Sequence, residues 1–272
     1  MKLCPCGSGL TRGACCGKKE QSGDAITRAR QAAYTGELGR RRESFCRDYI
    51  SYKEAAIAGM VSGLRQEAVK ARGEITCGRG CTPCCHVYVV ASLQECEAIV
   101  YYLYRHAVAL QHFVAAHQTW RAEVEKIRDT FFEISRLQQK RMSHENSPQD
   151  DEAFNAELIK YSALNLPCPF LKNGVCSIYG VRPYVCAGLV STTPGEWCRP
   201  GHAEHNRIKL LKAEVALDRD MPYFANPGGK VSLTNMPALV YEILRYGWDF
   251  LARVPGQEYL REAISNDMER RS

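Results

Sequence analysis

Twelve of the fourteen cysteines in this 272-residue chain fall into three groups of four, at 4/6/15/16, 77/81/84/85 and 168/176/186/198, and only Cys46 and Cys96 stand outside. No other feature constrains the fold as much. Sulfur at this density ends as disulfides, as metal ligands or as buried thiols, and the redox compartment decides among them. The amino end, Met1-Lys2-Leu3-Cys4-Pro5-Cys6-Gly7, has no apolar stretch of the kind that directs secretion. No apolar run approaches the roughly 20 residues that span a bilayer. A cytoplasmic address with no membrane contact is therefore expected. There, clusters of four cysteines fit metal or redox chemistry better than scattered bridges.

Between the clusters the pattern is helical. Phe45, Tyr49, Tyr52, Ala56, Met60 and Leu64 recur at three- and four-residue spacing, which predicts a helix over 41–72, ended near Gly73. His86–Val90 reads as a short strand. Ser92 with Glu95 three residues later is a capping box ahead of an apolar periodic stretch that runs to about Met142 as two helices. Residues 143–151 read as a mobile loop. Further helices are expected at 151–164, 203–217 and 236–253, with a short last one after Pro255-Gly256. The chain thus predicts a mostly α fold. Its irregular cysteine-rich loops are held by metal on a helical scaffold, with a small zinc knuckle at the amino end. The expected organisation is a knuckle at 1–20, a helical connector at 21–73 and a cysteine-cluster domain at 74–272 with a helical insertion at about 92–164.

Cys4, Cys6, Cys15 and Cys16 supply four soft ligands within thirteen residues, and four thiolates make a closed tetrahedral zinc site. Gly7, Gly9, Gly13 and Gly17 let the backbone turn tightly around an ion. The segment is too small and polar for a core of its own, so a metal would have to organise it. In sequence, C-P-C-G-S-G at 4–9 followed by C-C-G at 15–17 resembles the SEC-C zinc-binding motif. That resemblance implies one zinc on all four cysteines. The aromatic residue usual between the halves of that motif is missing here.

Cys77-x3-Cys81-x2-Cys84-Cys85 is again ligand spacing, with Gly78, Gly80 and Pro83 shaping the loop. Cys168, Cys176, Cys186 and Cys198 follow in a second loop rich in proline and glycine. Eight thiolates exceed what one tetrahedral ion or one four-iron cluster uses. Either two centres lie close together or some cysteines are spare. The C-x3-C-x2-C-C at 77–85, C-P-F-L at 168–171, G-V-C-S-I-Y at 174–179 and Arg182-Pro183 resemble the YkgJ-type cysteine cluster family. The cysteines at 186 and 198 match as well. The resemblance implies an iron–sulfur cluster, or iron or zinc, on Cys77, Cys81, Cys84, Cys85, Cys168, Cys176, Cys186 and Cys198. Some relatives are associated with flagellin lysine methylation. Ala187 stands where that family commonly has arginine.

Neighbouring residues read less sharply. Arg182 fits either a hydrogen bond to a thiolate or cluster sulfide, or a contact that fixes its own loop. His86, His202 and His205 lie near cysteines in sequence and are candidate ligands. Tyr179 and Phe170 read as loop packing, and Cys46 and Cys96 as buried small hydrophobes. No nucleotide, flavin, Ser/His/Asp or H-E-x-x-H pattern occurs, so no catalytic residue is assigned. Residues 1–48 hold ten Lys/Arg against five Asp/Glu. Such a basic end suits a protein partner at the knuckle, or RNA, or is a solvated surface. Two functions remain open: a cluster protein with a redox or modification role, and a zinc-stabilised adaptor.

Overall fold

Apolar residues at helical spacing dominate the chain, and the computed structural model, which describes residues 36–199, 201–213 and 233–247, is mostly α. Among the described residues the helices are α1 (Gly36–Lys70), α2 (Leu93–Arg105), α3 (Ala107–Glu125), α4 (Arg128–Ser143), α5 (Pro148–Ala163), α6 (Tyr184–Ala187) and α7 (Met236–Tyr246). Six short strands among the described residues form three antiparallel ribbons. They are β1 (Val90–Ser92) with β6 (Leu233–Asn235), β2 (Leu171–Lys172) with β3 (Val175–Cys176), and β4 (Leu189–Ser191) with β5 (Leu210–Lys212).

Helix α1 begins earlier than its apolar spacing predicts and runs unbroken through Gly59 and Gly63. Both glycines are exposed, with nothing near the place a side chain would occupy. Each costs about 1 kcal/mol relative to alanine, and buried Phe45, Cys46, Tyr49, Leu64 and Ala68 at the two ends of the helix offset that cost. The buried stripe passes through Lys53 rather than the expected Tyr52, which is 36% exposed. Lys53 Nζ donates to the Val181 carbonyl at 2.9 Å and lies 4.0 Å from Glu95 Oε1. Arg42 forms a buried ion pair with Glu97. Burial pushes the Glu97 carboxyl pKa well up. These two pairs join α1 to α2.

The expected strand over 86–90 is displaced. Pro83–His86 makes a 3₁₀ turn, and the strand falls at Val90–Ser92, where Leu233–Asn235 supplies the partner backbone. The Ser92–Glu95 capping box forms as read: the Glu95 N–H donates to Ser92 Oγ, and the Ser92 N–H donates to Glu95 Oε2. The stretch after it holds three helices instead of two. One break is at His106, whose ring stacks on Tyr102 and donates to the Tyr102 carbonyl at 2.8 Å. The other is at Lys126-Ile127.

Residues 143–151 are not a long loop. Helix α4 ends at His144 in the left-handed region (φ 58°), and a second capping box, Ser147 with Asp150, starts α5 at Pro148. Lys140–Asp150 at 2.9 Å and Arg141–Asp151 at 3.3 Å brace the corner. The described part, 203–213, of the helix expected over 203–217 is not helical; residues 214–217 lie outside the described residues. A 3₁₀ turn at His205–Arg207 leads into β5, because pairing with β4 satisfies both backbones. Helix α7 is capped by Asn235, whose side chain accepts the Ala238 N–H, and it ends at Gly247. Residues 1–35 with the four knuckle cysteines, residues 248–253 of the expected last long helix, and the segment after Pro255-Gly256 lie outside the described residues.

The main core gathers α1, α2, α3 and α7 with Phe170, Ile178 and Val181 from the second cysteine loop. Phe170 stacks on Phe113 of α3 at 4.3 Å. A second core of Trp120, Val124, Ile134, Leu137, Phe154 and Tyr161 joins α3, α4 and α5, with Tyr88 from the first loop. Both cysteine loops are therefore pinned to helices by aromatic side chains. No helix of the described residues is long and apolar enough to cross a membrane.

Candidate metal centre

The first cysteine loop is shaped by its own backbone. The Cys81 N–H donates to the Gly78 carbonyl at 3.0 Å across Gly80 (φ 95°), and the Cys85 N–H donates to Thr82 at 2.8 Å. The second loop opens with the β2–β3 hairpin. Its two-residue turn is Asn173-Gly174, both at positive φ (50° and 74°), which is the backbone such a tight turn requires. Cys168 precedes this hairpin and Cys176 closes it. The Cys168 N–H donates to the Cys85 carbonyl at 2.6 Å, so the two loops, 83 residues apart in sequence, are joined by main chain.

Glu95 holds the third piece. Besides capping α2, it accepts the Tyr184 N–H at 2.7 Å and so fixes α6, which carries Cys186. Lys53, bonded to Val181, steadies the same segment. The fourth piece is β4 and the turn after it. The Ser191 N–H donates to Cys77 Sγ at 3.1 Å, and Thr76 donates to the carbonyls of Ser191 and Thr193. The 3₁₀ turn Gly195–Cys198 packs on the turn Pro83–His86.

The result is one pocket of about 110 Å³ lined by Cys77, Cys81, Cys84, Cys85, Cys168, Cys176 and Cys186. Val89, Phe170, Ile178 and Met236 form its apolar wall, and Arg182 is the only charged side chain on it. Cys198 is not on the lining, but its thiol feels the charges of Cys77 and Cys84. The sulfurs ring this space without closing on a common point. Among the described residues no three Cys, His, Asp or Glu side chains stand as a preformed metal site.

Crowding and burial keep most of these thiols protonated, because neighbouring thiolates repel one another. Burial, then Cys77, Cys84 and Cys198, push the Cys81 thiol up to about 11. Burial, and the thiols of Cys176 and Cys84, push Cys168 up to about 12 despite the Phe170 N–H donated to its sulfur. Cys176 is raised by burial, with the Ile178 N–H and Arg182 pulling the other way. Cys186 is raised well above 9.0, again chiefly by burial, and Cys198 is raised for the same reason. Cys85 donates its S–H to the Cys84 sulfur, and that bond raises Cys85 and lowers Cys84 to about 7, with help from Arg182. Cys84 presents exposed surface although dense protein surrounds it. It is the thiol most readily ionised in the pocket.

The donor set fits a thiolate-bound metal group in kind. It is sulfur throughout, with main-chain N–H groups aimed at the sulfurs of Cys77, Cys168 and Cys176. Arg182 adds a second mark of fit. Its guanidinium lies 3.8 Å above the Tyr179 ring, and its buried Nε has no hydrogen-bond partner. No loop-fixing contact to a carbonyl satisfies it, so this cation faces the sulfurs with bonding capacity to spare.

The histidines lie elsewhere. The His86 ring bonds the Asn165 carbonyl at 3.0 Å, His205 bonds the Trp197 carbonyl, and His202 accepts the Glu204 N–H. None of the three lines the pocket. Cys46 and Cys96 are fully buried, as small hydrophobes in the main core. Sequence reasoning missed Glu95 and Lys53 as supports of the site. Glu95 was visible as a cap, but its bond to Tyr184 exists only in the folded chain. The Asn173-Gly174 turn carried a legible hairpin signal that was also missed. Comparison with protein families, with curated proteins and with solved structures finds no match to this chain.

Proposed function

We propose that this chain is a metal-binding cysteine-cluster protein whose main site takes a polynuclear iron–sulfur, or iron or zinc, group. One observation carries the reading: seven cysteines from loops far apart in sequence line a single pocket that holds no carboxylate or imidazole. A site without oxygen or nitrogen donors selects soft or borderline metals. Its interior, about 110 Å³, is several times the roughly 10–15 Å³ that one water-sized occupant needs. That favours a group of several atoms over a lone ion. The likeness of the cysteine spacing to the YkgJ type points the same way.

When bound, such a group would supply electron transfer or Lewis-acid chemistry. The chain's own part is to give up thiol protons, beginning at Cys84, and to balance the resulting negative charge with Arg182 and the main-chain N–H donors. The apolar wall of Val89, Phe170, Ile178 and Met236 keeps water from one side of the site. At the amino end, Cys4, Cys6, Cys15 and Cys16 are proposed to hold one structural zinc. A role in redox or modification chemistry follows from the main site, with no substrate assigned.

Anaerobic purification with metal and acid-labile sulfide analysis tests this. Brown protein with iron and sulfide beyond the knuckle's zinc is the expected result. Colourless protein holding only zinc would favour the zinc-stabilised adaptor, and protein without metal at the main site would overturn the reading.

A further inference from the structure

The eight cysteines of the main site are more than one centre of four sulfurs can use, and their placement is not uniform. Two neighbourhoods are separable by what surrounds each sulfur. Cys77 is bonded by the Ser191 N–H of β4, Cys81 lies in hydrogen-bond contact with Cys77, and Cys198 closes the turn that follows β4. The backbone of Gly195 passes so near Cys81 that a side-chain carbon there would sit 3.5 Å from its sulfur. This first neighbourhood is built on β4 and the turn after it. The second is built on the β2–β3 hairpin and α6. Cys168 is joined to Cys85 by main chain, Cys176 closes the hairpin, and Cys186 is set by the grip of Glu95 on Tyr184.

The electrostatic neighbours divide along the same line. The thiols that act most on Cys81 are Cys77, Cys84 and Cys198, and those that act most on Cys198 are Cys77 and Cys84. The thiols that act most on Cys85, Cys168 and Cys186 come from Cys84 and this second set, and the one that acts most on Cys176 is Cys84. Cys84 alone belongs to both lists. It sits on the 3₁₀ turn Pro83–His86, where successive side chains leave the axis about 120° apart, and its sulfur shares a hydrogen bond with that of Cys85, so the two adjacent residues can face neighbouring centres that touch there.

Resting on the metal reading above, we infer that the main site is two adjoining four-sulfur centres, Cys77/Cys81/Cys84/Cys198 and Cys85/Cys168/Cys176/Cys186, that meet at the Cys84–Cys85 peptide. Cys84 lies at the seam. Arg182 stands beside Cys84 and Cys176, one sulfur from each set, and so neutralises charge where the two anionic centres come closest.

The test uses the full chain, purified anaerobically, treated with rising EDTA and alkylated with iodoacetamide at each step, with labelled cysteines mapped by peptide mass spectrometry. The expected result is two steps: Cys77, Cys81 and Cys198 become reactive together, and Cys85, Cys168, Cys176 and Cys186 become reactive together at another EDTA concentration. A second arm uses C198S, which is expected to lose about half of the main-site metal while the second set stays protected. A single step that exposes all of these cysteines, or loss of the whole main-site metal in a C198S protein that keeps its helical circular dichroism, overturns the division but leaves the metal reading standing. Full alkylation of the eight before any EDTA is added overturns both.

Discussion

His117 shows how a buried side chain outside the cysteine pocket governs the acid behaviour of the fold. It is 3% exposed, stacks on Tyr241 of α7 at 4.2 Å and packs beside Phe113 and Trp120. Burial, with the nearby charge of Arg121, holds its pKa down to about 3 against an ordinary 6.5. The folded ring stays neutral while the unfolded chain takes a proton, so its contribution to stability is complete above about pH 6.5 and is lost as pH falls toward 3. By pH 4.5 the loss amounts to roughly 2–3 kcal/mol. His117→Phe keeps the stack and removes the titration. Its urea midpoint should therefore fall less between pH 7 and 4.5 than that of the native chain; equal falls would assign the acid sensitivity to another group.

At the scale of elements, the corner between α4 and α5 shows side chains ordering a segment that looks mobile from composition alone. Ser143–Asp151 is polar and contains Pro148, but Ser147 and Asp150 exchange capping hydrogen bonds and Lys140 reaches Asp150 from the preceding helix. Proline is at home at a helix start, where its missing N–H has no partner to lose. Ser147→Ala should cost about 1 kcal/mol, the usual cost of losing an N-cap, read as a lower urea midpoint. The hydrogen bond from Lys140, then those from Ser147, hold the Asp150 carboxyl well below its ordinary 3.8. Its contribution is therefore present above about pH 4 and lost as pH falls below that. Asp150→Asn should flatten the acid limb of the stability curve below pH 4, and an unchanged limb would show that the bonds to Asp150 do not persist in solution.

For the whole molecule, the division of labour is between helical cores and sulfur loops. The two cores are built from side chains of α1 to α5 and α7, and the cysteine loops reach them mainly through Tyr88, Phe170, Ile178 and Val181. The helices thus have their own reason to fold, while the loops would rely on bound metal and a few main-chain hydrogen bonds. Anaerobic removal of metal should leave most of the helical circular dichroism in place and open the loops to trypsin at Arg79 and Lys172. Cooperative loss of the helices on chelation would show that metal and core fold as one unit.

Local rules carried much of this in advance. The spacing that made α1, the Ser92–Glu95 box and the grouping of the cysteines acts over a few residues, and such signals survive any tertiary context. Breaks at His106 and Lys126, the strand at Leu210–Lys212 and the second duty of Glu95 were not legible, because each depends on a partner brought up by the rest of the fold. The same holds for the site. Sequence alone determined that sulfur would be concentrated in two loops; only the packed helices decided that those loops share one pocket, since convergence over 83 residues is a property of the assembled core and not of any segment.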